Sequence, residues 1–154
     1  MRTITLLVIH CSAVRPDQTS SAAQIDTWHR KDNHWKFGIG YHYVIRRDGT
    51  IEPGRPEWMV GAHCHVKGKN HNLHSIGICY EGGLDINGEY DDTRTPAQKA
   101  AMRTLLEELH ARYPRAVIVG HHDLDPRKPC PCIKDVAHEY ADLNDVRACS
   151  RSTK

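Results

Sequence analysis

No apolar run in this 154-residue chain approaches the ~20 residues needed to cross a bilayer, so a membrane-spanning helix is not expected. Neither sign of charge dominates. The 21 Lys and Arg against 19 Asp and Glu leave a formal +2, too little to argue for nucleic acid and at most compatible with an acidic polymer as substrate. Repeats, linkers and low-complexity stretches are also missing, which leaves no internal domain boundary. What remains, 39% hydrophobic and 26% charged, is the composition of one soluble globular domain able to bury its own core. It is expected over residues 1–145, with a polar tail over 146–154.

The chain is not short of cysteine or histidine, with 6 and 12 respectively. A disulfide framework is one use for the cysteines. A chain of this length does not need one, and Cys11 and Cys130 sit beside other metal-type ligands. Cys130 and Cys132 are too close in sequence to bridge each other comfortably. Cys64, Cys79 and Cys149 read as reduced thiols acting as small hydrophobes. The start, Met1 to His10, superficially mimics a signal peptide. Its apolar run is short, His10 and Arg15 interrupt it, and no small-residue cleavage site follows. The expectation is a first strand over Ile4–Ile9 and a chain that is cytoplasmic as synthesised.

Periodicity and punctuation place the other elements. Ser20-Ser21 caps a helix running to about His29, with Ile25 and Trp28 at core-facing spacing. Gly38-Ile39-Gly40 leads into Tyr41, and Asp48-Gly49 turns a hairpin between strands at 41–46 and 50–53. A buried strand is expected over Asn72–Tyr80. Thr95-Pro96 opens the clearest helix, Gln98 to Tyr113, with Met102, Leu105, Leu106 and Leu109 on one face. A strand at 116–119 and a short helix at about 133–143 follow. Strands interleaved with helices imply an α/β domain whose mixed central sheet is flanked by helices.

The chemistry concentrates in Gly120 to Cys132, which packs His121, His122, Lys128, Cys130 and Cys132 into one turn-rich run after an apolar strand. The first strand likewise ends in His10-Cys11. Two strands ending in His, with a cysteine near, suggest a zinc cleft at the strand ends. Three protein ligands would leave a fourth position for water. Alternation lets only one of His121 and His122 point at the ion, and spacing does not say which; nor does it choose between Cys130 and Cys132. Lys128 is a surface lysine or an oxyanion donor. Tyr41 is a half-buried strand residue or a hydrogen-bond donor to the reacting groups. His63 and His65 form a His-x-His that either holds a second metal or contributes His63 alone to the cleft. Trp28, Trp35 and Trp58 either stack on sugar rings or pack in the core.

A set of anchors in fixed order carries a resemblance. They are Val8-Ile9-His10-Cys11-Ser12-Ala13, Trp28-His29, Gly40-Tyr41-His42-Tyr43-Val44-Ile45, Arg47-Asp48-Gly49-Thr50-Ile51, Val60-Gly61-Ala62-His63, Asn70-His71-Asn72 with Ser75-Ile76-Gly77-Ile78, Thr95-Pro96-Ala97-Gln98, and His121-His122-Asp123 with Lys128-Pro129-Cys130-Pro131. From about Ile4 to Ile133 the chain resembles the zinc-dependent N-acetylmuramoyl-L-alanine amidases of the type 2 class. That class includes the phage lysozymes of the amidase type and the peptidoglycan recognition proteins.

The resemblance implies His10, His121 and Cys130 as zinc ligands, Tyr41 and Lys128 as catalytic residues, and a structural place for Cys132; beside them His63 is expected to line the substrate cleft. It implies hydrolysis of the amide between N-acetylmuramic acid and L-alanine, with peptidoglycan or muramyl peptides as partner. It also implies a monomer that binds neither nucleic acid nor membrane and reaches the cell wall after release or export. Two alternatives accompany it: a peptidoglycan-binding module that does not cut, and an amidase that also binds a phage RNA polymerase, as some phage relatives do. The basic, aromatic stretch Asn33 to Phe37 and the histidine-rich segment His63 to His74 depart from the pattern and bear on substrate preference.

Overall fold

A computed structural model of the chain describes residues 2–144. Five strands form its centre: β1 (Leu6–Cys11), β2 (Tyr43–Ile45), β3 (Ile51–Pro53), β4 (Ser75–Tyr80) and β5 (Val117–Gly120), side by side in the order β3-β2-β4-β1-β5. β1 runs parallel to β4 and β5, and β2 parallel to β4; β3 closes the Asp48-Gly49 hairpin antiparallel to β2. This is the expected mixed α/β sheet. Gly49 has a φ of 89°, which only glycine adopts readily.

Both faces of the sheet are covered, which is why β1 and β4 read as nearly unbroken apolar runs. On one face, Leu7, Ile9, Ile76, Ile78 and Tyr80 pack with Met102, Leu105, Leu106 and Leu109 of helix α2 (Pro96–Arg112). On the other, Val44 and Cys79 pack with Ile39 and with Ile25 of helix α1 (Ala22–Asp32). Side chains alternate along a strand. His10 therefore emerges opposite Ile9, on the face it shares with Ser75, Gly77 and Cys79 of β4. The expected cap is present: the Thr95 hydroxyl accepts the Gln98 N–H at 3.1 Å, and the Gln98 side chain accepts the Thr95 N–H at 2.9 Å. The Gln98 amide then donates to the carbonyls of Ile45 and Glu81, at 3.1 and 2.9 Å. One residue thus starts α2 and docks it on the ends of β2 and β4.

Several boundaries differ from the sequence expectation. β1 runs to Cys11, so His10 lies inside the strand rather than beyond it. The stretch before β4 is a 3₁₀ turn at His71–His74, and ladder pairing with β1 begins at Ser75. Tyr41 precedes β2 rather than belonging to it. The final helix breaks into two short turns, α4 (Val136–Glu139) and α5 (Ala141–Asn144), after α3 (His121–Leu124). Trp28 is 38% exposed and Trp58 70%, so neither is a core residue. On α1 Ile25 alone fills the core-facing position. Cys149 and the tail lie outside the described residues. The five described cysteines are free thiols, with Cys64 and Cys79 buried.

His42 stitches the sheet to the loop beside it. Its Nδ1 accepts the Gly77 N–H at 3.0 Å, which puts the ring proton on Nε2, where the Met59 carbonyl accepts it at 2.8 Å. Burial pushes the pKa of this ring down to about 4. The unfolded ring takes up a proton near pH 6.5, whereas the folded ring stays neutral to about pH 4. Stability is therefore lost as pH falls through that window, by up to ~3 kcal/mol from this residue. Urea midpoints are expected to fall across it. His42→Asn keeps an acceptor for the Gly77 N–H but no titratable ring, and should flatten that part of the fall. An unchanged slope would assign the acid sensitivity to other groups.

Candidate metal centre and cleft

Parallel strands bring their carboxyl ends to one edge of the sheet, where open α/β folds bind ligands. Three side chains meet at that edge. His10 sits one residue from the end of β1, His121 opens α3 directly after β5, and Cys130 lies on the loop beyond. Their donor atoms all lie within 4.8 Å of one another, and among the described residues they form the one such group of three or more His, Cys, Asp or Glu. The rings of His10 and His121 are 4.6 Å apart, and Sγ of Cys130 lies 3.8 Å from Nδ1 of His10.

The loop carrying the cysteine is tied down at several points. The Cys11 N–H donates to Sγ of Cys130 at 3.1 Å. The His122 N–H donates to the Cys130 carbonyl at 2.9 Å, and the buried Tyr80 hydroxyl to the Pro131 carbonyl at 2.6 Å.

These contacts put the two members of each pair in different surroundings. The chain turns helical at His121, so strand alternation does not govern it. Successive side chains rotate by roughly 100° instead, and His122 turns aside to lie 3.4 Å from the Asp123 carboxylate. Cys132 sits on the other side of the loop, its Sγ 3.9 Å from Sγ of Cys11. The contact with Cys11 and burial both push its thiol upward in pKa, so it keeps its proton. His10 is 1% exposed. Burial, then the neighbouring His63 and His121, hold its pKa well below the ordinary value, so the ring is neutral with a lone pair to offer.

Tyr41 packs against this centre, its ring 5.1 Å from that of His10 and 5.7 Å from that of His29. Burial, then the nearby cysteine thiols, push its phenol well above its ordinary pKa. Gly40 permits the approach, since a Cβ there would fall 2.1 Å from the Ala62 carbonyl oxygen. A cleft of about 610 Å³ opens beside the centre, with Trp35, His63, His65, Asn72, His121 and Lys128 on its walls. Lys128 is exposed on the rim. Of the three tryptophans, Trp35 is the one on these walls. His65 is exposed, and no third donor joins it and His63.

Sequence reasoning did not foresee what surrounds His63. Its Nδ1 lies 2.8 Å from Nε2 of His10, and its Nε2 lies 3.1 Å from the Ser75 hydroxyl. The Asn72 side chain accepts the N–H groups of His63 and Cys64 at 3.2 and 3.0 Å. A glycine at 77 between two isoleucines is the one hint of this close approach in the sequence.

The family model for N-acetylmuramoyl-L-alanine amidases matches residues 1–133. The chain belongs to that family. This amidase is 46% identical to the endolysin of Enterobacteria phage T3 over 129 residues, 84% of this chain and 81% of that one. It is 46% identical to the endolysin of Escherichia phage T7 over 125 residues, covering 81% and 78%. Among solved structures it superposes on the endolysin amidase LysCS from Clostridium intestinale with a TM-score of 0.75 and 31% identity, covering 93% of this chain and 85% of that one. It is thus a peptidoglycan hydrolase that opens the amide joining N-acetylmuramic acid to L-alanine. Amidases of this family are generally zinc-dependent, and the His/His/Cys group is of a kind that can hold a metal ion. Among the described residues no helix is long and apolar enough to cross a membrane.

The approach at Gly40 is backbone against backbone and leaves no flexible side chain to yield. Gly40→Ala is expected to destabilise this amidase by about 2 kcal/mol or more, read as a drop of several degrees in thermal midpoint. A midpoint within a degree of wild type would show that the 40–62 contact adapts freely.

Proposed function

We propose that the protein is a zinc amidase in which His10, His121 and Cys130 hold the ion while Tyr41 and Lys128 act on the scissile amide. The convergence of three metal-type donors at the wall of one cleft carries this reading. The residues fit the ion: two imidazole nitrogens and a sulfur are a donor set that zinc favours, and burial keeps His10 neutral. When bound, zinc supplies an acidified water and polarisation of the scissile carbonyl.

The chain's own groups do the rest. Tyr41 retains its phenolic proton. It therefore acts as a donor, hydrogen-bonding the carbonyl oxygen as that atom gains negative charge. Lys128 offers further N–H donors from the rim, and one of the two, or water, helps protonate the leaving amine. His63 forms part of the wall against which the muramyl peptide lies. The cleft volume is in the range of small-molecule sites. One chain supplies every named group, consistent with a monomer made in the cytoplasm that meets the wall after release or export, as a phage endolysin would. The domain doing this is taken as residues 1–145, with 146–154 as a tail.

Elemental analysis is expected to find about one zinc per chain. Cys130→Ser should abolish amidase activity and weaken zinc binding, because a neutral hydroxyl is a far poorer ligand than a thiolate. Cys132→Ser should leave both nearly intact. The reverse result would mean that the wrong thiol has been assigned.

Tyr41→Phe and Lys128→Ala should each lower kcat by ~100- to 1,000-fold with zinc content unchanged. Saturation kinetics on a soluble muramyl peptide at two ionic strengths provide the check. A Lys128→Ala enzyme with normal kcat and a raised, salt-sensitive KM would reduce Lys128 to a substrate attractor. Unchanged kcat in Tyr41→Phe would leave the ring a packing role alone.

A further inference from the structure

We infer that His63 is a positioning residue: through the buried chain His10–His63–Ser75 it sets the tautomer of His10, so that His10 turns a bare Nδ1 toward His121 and Cys130. The inference rests on the proposed ligand role of His10 and adds to it the group that holds that ligand ready. A neutral imidazole carries one N–H and one lone pair. Nδ1 of His10 faces Sγ of Cys130 at 3.8 Å, and Nε2 faces Nδ1 of His63 at 2.8 Å. Two facing ring nitrogens share a single proton, so only two arrangements exist. In one, His63 donates to His10, and the proton of His10 sits on Nδ1, where it blocks metal ligation. In the other, His10 donates from Nε2, Nδ1 is free, and the proton of His63 moves to its Nε2.

That second proton needs an acceptor, and the Ser75 hydroxyl lies 3.1 Å away. A hydroxyl can donate or accept, so Ser75 serves either arrangement by rotating about its C–O bond. The switch from a metal-free to a metal-ready His10 therefore changes tautomers and no net charge. Water cannot stand in for these partners, because His10, His63 and Ser75 are 1%, 8% and 0% exposed. The relay also has a built bed. A Cβ on Gly77 would lie 2.5 Å from Cγ of His63, so only glycine in the middle of β4 lets this ring lie against the strand. Asn72 holds the backbone of His63 from the other side. Metal-bound histidines commonly donate their second N–H to a fixed acceptor, and loss of that acceptor typically costs 10- to 100-fold in metal affinity.

The test is zinc affinity of the full chain, measured by competition with a chromophoric chelator, beside the thermal midpoint of the metal-free protein. His63→Leu is expected to weaken zinc binding by ~10- to 100-fold. His63→Asn, whose amide oxygen sits near the lost Nδ1, should recover most of it. Ser75→Ala leaves both rings in place and should weaken zinc binding in the same direction, so it carries the test if His63→Leu does not fold. Nitrogen-15 spectra of the zinc-loaded wild type should show a protonated Nε2 on His10. Wild-type zinc affinity in folded His63→Leu or Ser75→Ala, or a protonated Nδ1 on His10 in the loaded protein, would overturn the relay. A wild-type chain that binds no zinc would instead overturn the ligand assignment beneath it.

Discussion

Parallel pairing of β1 with both β4 and β5 is the constraint on which the rest of the molecule depends. The register Ile9↔Gly120 puts His10 and His121, each one step further on, at the same level of the sheet edge. The register Val8↔Gly77 on the other side puts a residue without a side chain where the ring of His63 must lie. Side chains alternate with a period of two, so a one-residue slip of β1 would turn His10 into the α2 face and remove it from the centre. What prevents the slip is hydrophobic. Leu7, Ile9, Ile76 and Ile78 are fully buried against α2, and a one-residue slip of β1 would take Leu7 and Ile9 off that face. The core thus aims the face that carries His10.

Burial has two further effects at this edge. Deprived of water, the imidazoles of His10 and His63 stay neutral and the phenol of Tyr41 stays protonated. Burial also costs free energy for every polar atom left without a partner. Among the described residues one side-chain atom pays it, Nε of Arg2. The other guanidinium nitrogens of Arg2 donate to the carbonyls of Asn72, Ser75 and Glu57. A single side chain near the start of the chain thereby secures the segment that carries both Asn72 and Ser75, the partners of His63.

The loop that brings Cys130 to the centre is positioned from the opposite side of the sheet. Tyr80 reaches it from β4 through the core. Beyond it, the buried guanidinium of Arg94 holds α4 through Glu139 at 2.6 Å while paired with Asp92 at 2.9 Å. The same guanidinium also meets the Tyr140 hydroxyl at 3.3 Å, so one buried side chain ties α4 to the segment before α2. The rim residues Arg127 and Lys128, by contrast, are exposed.

What the sequence by itself determined is local. The capping pair Thr95 and Gln98, the Asp48-Gly49 turn and the apolar runs of β1, β4 and β5 are short-range signals, and they place each of these elements to within a few residues. His10 and Cys130 were visible as ligand-type residues next to such elements, and the ordered anchors pointed to the family. Four placements depend on tertiary structure. His121 and His122 could not be separated by alternation, because the chain turns helical on leaving β5. Cys130 meets His10 and the Cys11 N–H, whereas Cys132 meets the Cys11 side chain on the other face of β1. Trp28 has core-facing spacing yet remains partly exposed, since Ile25 fills the space beneath α1. The contacts of His63 with His10 and Ser75 join segments far apart in sequence, and pairing of that kind leaves no periodic trace. Hydrogen bonds within a few residues can be read from residue order; those across the sheet exist only once the register of β1 is set.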